Sequence, residues 1–429
     1  MSSTHMPEIL KIRLYQMGFG DCCLLSFHYP KRSRVRTRHL LIDCGTTAFP
    51  KREKKTSHYN IAKNIEQVCG ERLHAIVVTH RHSDHLSGFE GRSGDVIKGL
   101  KPKLIIQPWT EDPKAKKDAK KPTRFTRRRQ LYVHSLDNMH RVTELARREL
   151  EKHTSGISRS FRRWLGFQGE EGIKNKDAID KLHEMSGRPN YVYYGKKSGL
   201  DQVIPGIKTY ILGPPTLKQS DKIVQQRHED EAEFWHLQAL AGERGAGIRP
   251  HIFKNLESAH LGSIPFEARW FLPRLDDIRR DELLEIVRIL DYYLNNTSVI
   301  LLIELGTKKL LFPGDAQIEN WNYALKAADD RDEIAALLAK TDLYKVGHHG
   351  SLNATPKTLW NMFERKGDKE KPNRLKTIMS TLEKKHGCKK RNTEVPREKL
   401  VDELKKNSDF FTTQKLTGEE FFKDFEITP

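Results

Sequence analysis

The sequence predicts a mixed α/β fold. Short apolar runs of strand length, bounded by turn residues, recur before residue 110 and again after residue 295. Stretches with helical spacing lie between and beyond them. Directly behind the apolar run 75–78, His80, His82, Asp84 and His85 place three imidazoles and a carboxylate within six consecutive residues.

Residues 9–15, 22–28 and 39–43 read as the first strands, the last ending at Gly45. Residues 58–69 fit a helix. The run 75–78 reads as a short buried strand that feeds the histidine cluster. In an extended tail, side chains 80, 82 and 84 share one side, because side chains alternate with period two. His85 joins them only if the chain turns there. Neutral imidazole nitrogens beside a hard carboxylate oxygen suit a cation such as zinc.

Residues 113–190 read as a basic helical insertion. Its opening run holds Lys114, Lys116, Lys117, Lys120, Lys121, Arg124, Arg127, Arg128 and Arg129, with Phe125 inside it. Residues 131–153 follow with Leu136, Met139, Val142 and Leu145 on one helical side. Strands resume at 191–194 and 207–212. Residues 220–292 read as a second helical insertion. Segments 298–304 and 308–312 form a hairpin signal that ends at Pro313-Gly314-Asp315. Helices within 317–340 precede a strand at 343–346, which runs into Gly347-His348-His349-Gly350-Ser351. The tail reads as a strand at 377–380, a helix at 397–405 and a strand at 410–413. We take residues 1–429 as a single domain with two insertions.

The chain carries 76 Lys and Arg against 57 Asp and Glu, a formal net charge of +19. That field attracts polyanions such as nucleic acid, nucleotides or anionic lipid. Five cysteines, an odd number without framework spacing, point to a reducing compartment. Cys22, Cys23 and Cys44 read as small core residues. No apolar run is long enough to span a bilayer, and the first residues lack a signal-peptide pattern. The expectation is a soluble, cytoplasmic protein without a membrane partner.

With Asp315 after a hairpin and His348-His349 after a later strand, His80-x-His82-x-Asp84-His85 resembles the metallo-β-lactamase fold superfamily. Asp43, in Leu41-Ile42-Asp43-Cys44-Gly45, looks like that family's early aspartate, which supports the metal loop from behind the ligands. Gly18-Phe19-Gly20-Asp21-Cys22-Cys23-Leu24-Leu25 is similar to the opening motif of the branch containing the nuclease-like domain of the competence protein ComEC. So are Asn296-Thr297-Ser298-Val299-Ile300-Leu301, Phe312-Pro313-Gly314-Asp315-Ala316 and the stretch from Lys345 to Ser351. Phosphorylcholine esterases share this branch. The resemblance covers about residues 1–110, 190–215 and 295–415. Two departures stand out. Relatives of the ComEC type often have Asp where this chain has His82. The Gly-His-Ser/Thr motif that supplies a third histidine to one metal is absent, and His260 is its nearest imitation.

The resemblance implies an αββα sandwich of two mixed sheets, with ligands on loops at one edge. It assigns His80 and His82 to one divalent ion, Asp84, His85 and His349 to a second, and Asp315 to both. The ions are zinc or manganese. The first ion, short of a ligand, is expected to be the more labile. Asp84 has a rival role as general base, His348 is a phosphate contact or proton donor, and Ser351 either contacts phosphate or caps the next helix. Tyr193 and Tyr194 either reach the site or pack in the core, and His386 falls where this branch often has a histidine near the site. The implied activity is hydrolysis of a nucleic-acid phosphodiester by water activated between two metals. The basic run, including Lys114, Lys116, Lys117, Arg127, Arg128 and Arg129, is then a backbone-binding strip or else a solvated loop. The rival functions are a metallo-hydrolase of a cyclic nucleotide, lactone or thioester, and a non-catalytic binding module.

Overall fold

In a computed structural model of the chain, the described residues are 6–50, 57–112, 176–185, 189–216, 218–220, 295–351, 355–383, 385, 394–416 and 420–429. Strands β1 (Ile9–Tyr15), β2 (Cys22–His28), β3 (Thr37–Cys44), β4 (Ala75–Val77), β5 (Leu104–Pro108) and β6 (Asn190–Val192) belong to one sheet. With β13 (Phe422–Ile427) its order is β13-β1-β2-β3-β4-β5-β6. The second sheet contains β7 (Ile207–Gly213), β8 (Ile300–Leu305), β9 (Lys308–Phe312), β10 (Leu343–Lys345), β11 (Lys376–Met379) and β12 (Asp409–Thr412). Its order is β12-β11-β10-β9-β8-β7.

Both sheets are mixed. In the first, β13, β1, β2 and β3 pair antiparallel, and β3 to β6 pair parallel. In the second, β7, β8 and β9 pair antiparallel, and β9 to β12 pair parallel. Parallel neighbours need crossovers, which place helices on the outer faces. One apolar cluster joins the two sheets: Leu10, Ile12, Leu14 and Leu25 from the first meet Leu301, Ile303, Leu310 and Phe312 from the second. A second cluster packs the outer face of the first sheet against α1 (His58–Cys69), α3 (Gly91–Gly99) and α4 (Lys176–Met185). A third packs the other sheet against α6 (Ile318–Asn322), α7 (Arg331–Ala339), α8 (Lys357–Met362) and α9 (Glu398–Asn407). Two further short helices among the described residues are α2 (Ser83–Leu86) and α5 (Leu200–Val203). The layers are therefore helix, sheet, sheet, helix, the expected αββα sandwich.

Local chemistry explains the elements. In β1, Leu10, Ile12 and Leu14 face the core while Lys11 and Arg13 face outward, the alternation of a half-buried strand. α1 starts where the Ser57 side chain accepts from the Asn60 N–H and ends at Gly70 with φ 63°. A hydroxyl at the start and a left-handed glycine at the end satisfy the free backbone groups of a helix. Elements that escaped the sequence reading include β5, β13 and α3. β13 is a sheet edge whose side chains are mostly exposed or half-buried, so it shows no clean alternation. β5 has only three apolar residues before Gln107 and Pro108. Most of the two expected insertions lies outside the described residues, including residues 131–153 and 221–292.

Among the described residues, no helix is long and apolar enough to cross a membrane. Cys22, Cys23, Cys44 and Cys69 are buried free thiols.

Leu301 is fully buried in the cluster between the sheets. Leu301→Ala should cost about 2–5 kcal/mol of stability, the usual penalty for lost burial plus a residual cavity. Denaturant unfolding followed by circular dichroism measures it.

Candidate metal centre

The parallel strands β3, β4, β9, β10 and β11 carry the chain toward one edge of the sandwich, and the loops after them meet there. Strand ends of open α/β sheets are natural sites because loop backbone and side chains converge there. Asp43 lies near the end of β3. The cluster from His80 to His85 follows β4, Asp315 follows β9, His348 and His349 follow β10, and Ser380 follows β11.

The histidine cluster is not an extended tail. His82, with φ −65° and ψ 151°, precedes the helical turn α2, which contains Asp84 and His85. The turn swings His85 inward beside His80, their ring centres 4.1 Å apart. It fits because Gly45 lies beneath: a Cβ there would stand 2.4 Å from the Ser83 carbonyl oxygen and 2.5 Å from the Leu86 nitrogen.

Asp43 holds this loop. Its carboxylate accepts from the Thr79 N–H at 2.7 Å, the Thr79 hydroxyl at 2.7 Å and His85 Nδ1 at 2.8 Å. The last contact turns His85 Nε2 toward Asp315 Oδ2, 3.3 Å away. His349 is oriented in the same way. Its Nδ1 donates to the Ser380 carbonyl at 3.0 Å, and its Nε2 meets Asp84 Oδ2 at 2.9 Å. The His348 N–H donates to Asp315 Oδ1 at 3.0 Å, and the Asp315 N–H donates to Ser298 Oγ at 3.3 Å.

Two groups have donor atoms mutually within 4.8 Å: Asp21, His85, Asp315 and His349, and His80, Asp84 and His85. His82 belongs to neither, but its Nδ1 stands 3.0 Å from His80 Nε2. Of the candidates, His80, His85 and His349 are fully buried and His82, Asp84 and Asp315 nearly so. His348 is the most open, its side chain 23% exposed. Its Nε2 is 3.9 Å from Asp315 Oδ2, and its Nδ1 meets Ser351 Oγ at 2.8 Å. Ser351 is no cap for the next helix, since Pro356 occupies that place in α8.

Asp21 had no role in the sequence reading, although its motif stood out. Its Oδ2 is 4.0 Å from His85 Nε2, and it forms a buried ion pair with Lys345. Arg81, between two candidate ligands, turns to Glu111 with Nε 2.8 Å from Oε2. Tyr194 packs in the outer core and donates to Asp330 at 2.5 Å, while Tyr193 is exposed. His260, His386 and the basic run with Lys114, Lys116, Lys117, Arg127, Arg128 and Arg129 lie outside the described residues.

The donor set fits divalent cations. His85 Nε2 and Asp315 Oδ2 are buried and make no well-directed hydrogen bond. Buried polar atoms are normally satisfied, so such a pair marks a place for another partner. Burial pushes the His80 pKa well down and that of His82 to about 4, which keeps both neutral and ready to donate a lone pair. Burial opposes a proton on His85 as well, but the charges of Asp315, Asp43 and Asp84 outweigh it and hold its pKa well above the ordinary value. His349 is also raised: burial opposes its proton, but the hydrogen bond to Asp84 and the charges of Asp21, Asp315 and Asp84 together outweigh it.

A family model described as the metallo-beta-lactamase superfamily matches residues 34–91, the stretch that spans β3, Asp43 and the whole histidine cluster. That match supports the superfamily. A search of curated proteins gives no match. Superfamily and site together support a metal-dependent hydrolase, since this family normally binds divalent ions, usually zinc.

The protonation pattern sets a pH dependence. In the metal-free protein the neighbouring carboxylates favour protons on His85 and His349, which a cation must displace. Metal affinity should therefore rise with pH until both groups are deprotonated, and fall as acid restores the protons. Binding at pH 7 should release about one to two protons. Calorimetric titration of zinc in buffers of different ionisation enthalpy reads that number directly, and no release would contradict the assignment.

Proposed function

We propose that the chain is a phosphodiesterase, most specifically a nuclease of the branch resembling ComEC, acting on nucleic acid with two zinc or manganese ions. The observation that carries this reading is the convergence of His80, Asp84, His85, Asp315 and His349 at one loop edge in a chain of net charge +19. His80 and His82 would hold one ion, Asp84, His85 and His349 the other, and Asp315 both. Bound there, the ions supply Lewis-acid charge and acidify water.

The protein's own groups do the rest. Asp43 fixes the tautomer of His85 by accepting a hydrogen bond from its Nδ1–H, so that Nε2 faces the centre. The Ser380 carbonyl does the same for His349. Ser351 lies at hydrogen-bond distance from His348 Nδ1, which fits a proton on Nε2 as the donor. His348 is the most open of the group, and burial pushes its pKa down. A neutral donor to a phosphate oxygen suits it better than an acid carrying full charge. Asp84, paired with His349, serves as a ligand in preference to a general base. The basic run, with Lys114, Lys116, Lys117, Arg127, Arg128 and Arg129, supplies cations for backbone phosphates. A cytoplasmic location accords with the free thiols.

Labelled DNA and RNA should be cleaved by the wild type in Mn²⁺, Zn²⁺ or Mg²⁺. Asp84→Ala and His85→Ala should each lose about 100-fold or more, because each removes a ligand. Equal activity of wild type and variants would reject the site. Turnover of lactones, thioesters or cyclic nucleotides without nucleic-acid cleavage would replace the substrate assignment.

Replacing the basic run with glutamines should weaken nucleic-acid binding and flatten its dependence on salt. The slope of log affinity against log salt falls by about 0.9 for each duplex phosphate that the protein no longer neutralises. An unchanged slope, measured by fluorescence anisotropy, would remove that run from the interface.

A further inference from the structure

The Asp21–Lys345 pair poses a chemical question. Asp21 shares a ligand-distance group with His85, Asp315 and His349, the donor number and type of a complete four-coordinate site. Yet its Oδ2 is engaged by the Lys345 ammonium, with side chains 5% and 7% exposed. Its Oδ1 is buried and makes no hydrogen bond. An ammonium has three donors and no lone pair, so it competes with a cation for the carboxylate.

The small cavity beside Lys345 is lined by Leu14, Cys23, Ile42 and Phe312 and by the carboxylates Asp21 and Asp43, of which Asp21 makes the ion pair. A buried charge in such surroundings needs its partner. Asp21 is also tied by its backbone to the ligand loop of Asp84 and to the loop that follows Asp43. Its N–H donates to the Asp84 carbonyl at 2.9 Å, and its carbonyl accepts from the Gly45 N–H at 3.0 Å. Lys345 itself stands four residues before His349.

The geometry points to Lys345 as an internal counter-ion that withholds Asp21 from the metal centre, leaving Asp21 to position the ligand loops without joining the coordination sphere. This rests on the reading of the site as a metal centre. One buried positive charge thus limits both the ligand count and the negative charge presented to the ions. The ion that Asp84, His85, His349 and Asp315 would hold is spared a fifth protein ligand, which leaves room for water or substrate.

The test uses the full chain and Co²⁺ as probe, because its visible absorption reports ligand number. Lys345→Met keeps the side chain to the position of the lysine Cε and removes the charge. It should bind Co²⁺ about tenfold or more tightly in chelator competition, on the scale of changes behind metal ligands, with an altered visible spectrum. Adding Asp21→Asn to Lys345→Met should restore both toward wild type, which a merely structural role would not do. Asp21→Asn alone keeps the backbone bonds to Asp84 and Gly45, so its spectrum should stay nearer to wild type than that of Lys345→Met. Lys345→Gln carries the same expectation if the methionine variant does not fold. An unchanged spectrum and affinity in the folded Lys345 variant would overturn the inference while the metal centre stands. A changed spectrum with about tenfold weaker binding in Asp21→Asn alone would overturn it too, because Asp21 is then already a ligand. Failure of the wild type to bind any divalent ion would reject the metal centre itself.

Discussion

Four carboxylates, Asp21, Asp43, Asp84 and Asp315, are buried at one edge of the sandwich, and much of the local structure neutralises them. A buried charge is costly unless it is paired and hydrogen-bonded. Asp43 takes two bonds from Thr79 and one from His85. Asp84 takes His349, Asp315 faces His85 and accepts the His348 N–H, and Asp21 takes Lys345. Each partner belongs to a loop or strand end different from its carboxylate's, and Thr79 and His85 both belong to the one loop that Asp43 anchors. The pairs therefore fasten β2, β3, β4, β9 and β10 to one another where the two sheets come together.

The backbone accommodates that arrangement with strain. Asp43, His348 and His349 have φ of 54°, 42° and 52°, and they are three of the five non-glycine residues with positive φ among those described. Each such residue costs on the order of 1 kcal/mol or more and persists only where the surroundings hold it. Here the restraint is visible: Asp43 is held by three hydrogen bonds, and His349 is pinned between the Ser380 carbonyl and Asp84. Gly314, at φ 56°, brings the Asp315 loop against Thr79, where a Cβ would stand 2.7 Å from the threonine Cβ. Strain, close approach and buried charge thus coincide at the same few residues.

Much of the fold was legible because its strands are local apolar patterns. β1, β2 and α1 match the bounds read from the sequence, and the hairpin of β8 and β9 matches closely. β13 was not legible because it is an edge defined only by pairing with β1, some four hundred residues earlier, Leu10 opposite Ile427. Much of the candidate site was legible as chemistry: imidazoles and carboxylates bunched after strands. What escaped was any residue whose importance depends on a distant partner. Thr79 looks like an ordinary strand residue, and Lys345 like one cation among 76 Lys and Arg.

By itself the sequence determined the mixed α/β class, the layered alternation of strands and helices, and the supply of metal-type ligands at the ends of short strands. These follow from period, composition and spacing, which are local. Only the tertiary structure decided that α2 turns His85 inward, that Asp43 reaches back to hold it, and that Lys345 crosses between the sheets to Asp21. Those outcomes depend on buried charges finding partners across the sandwich, and nothing along the chain records which partner is near.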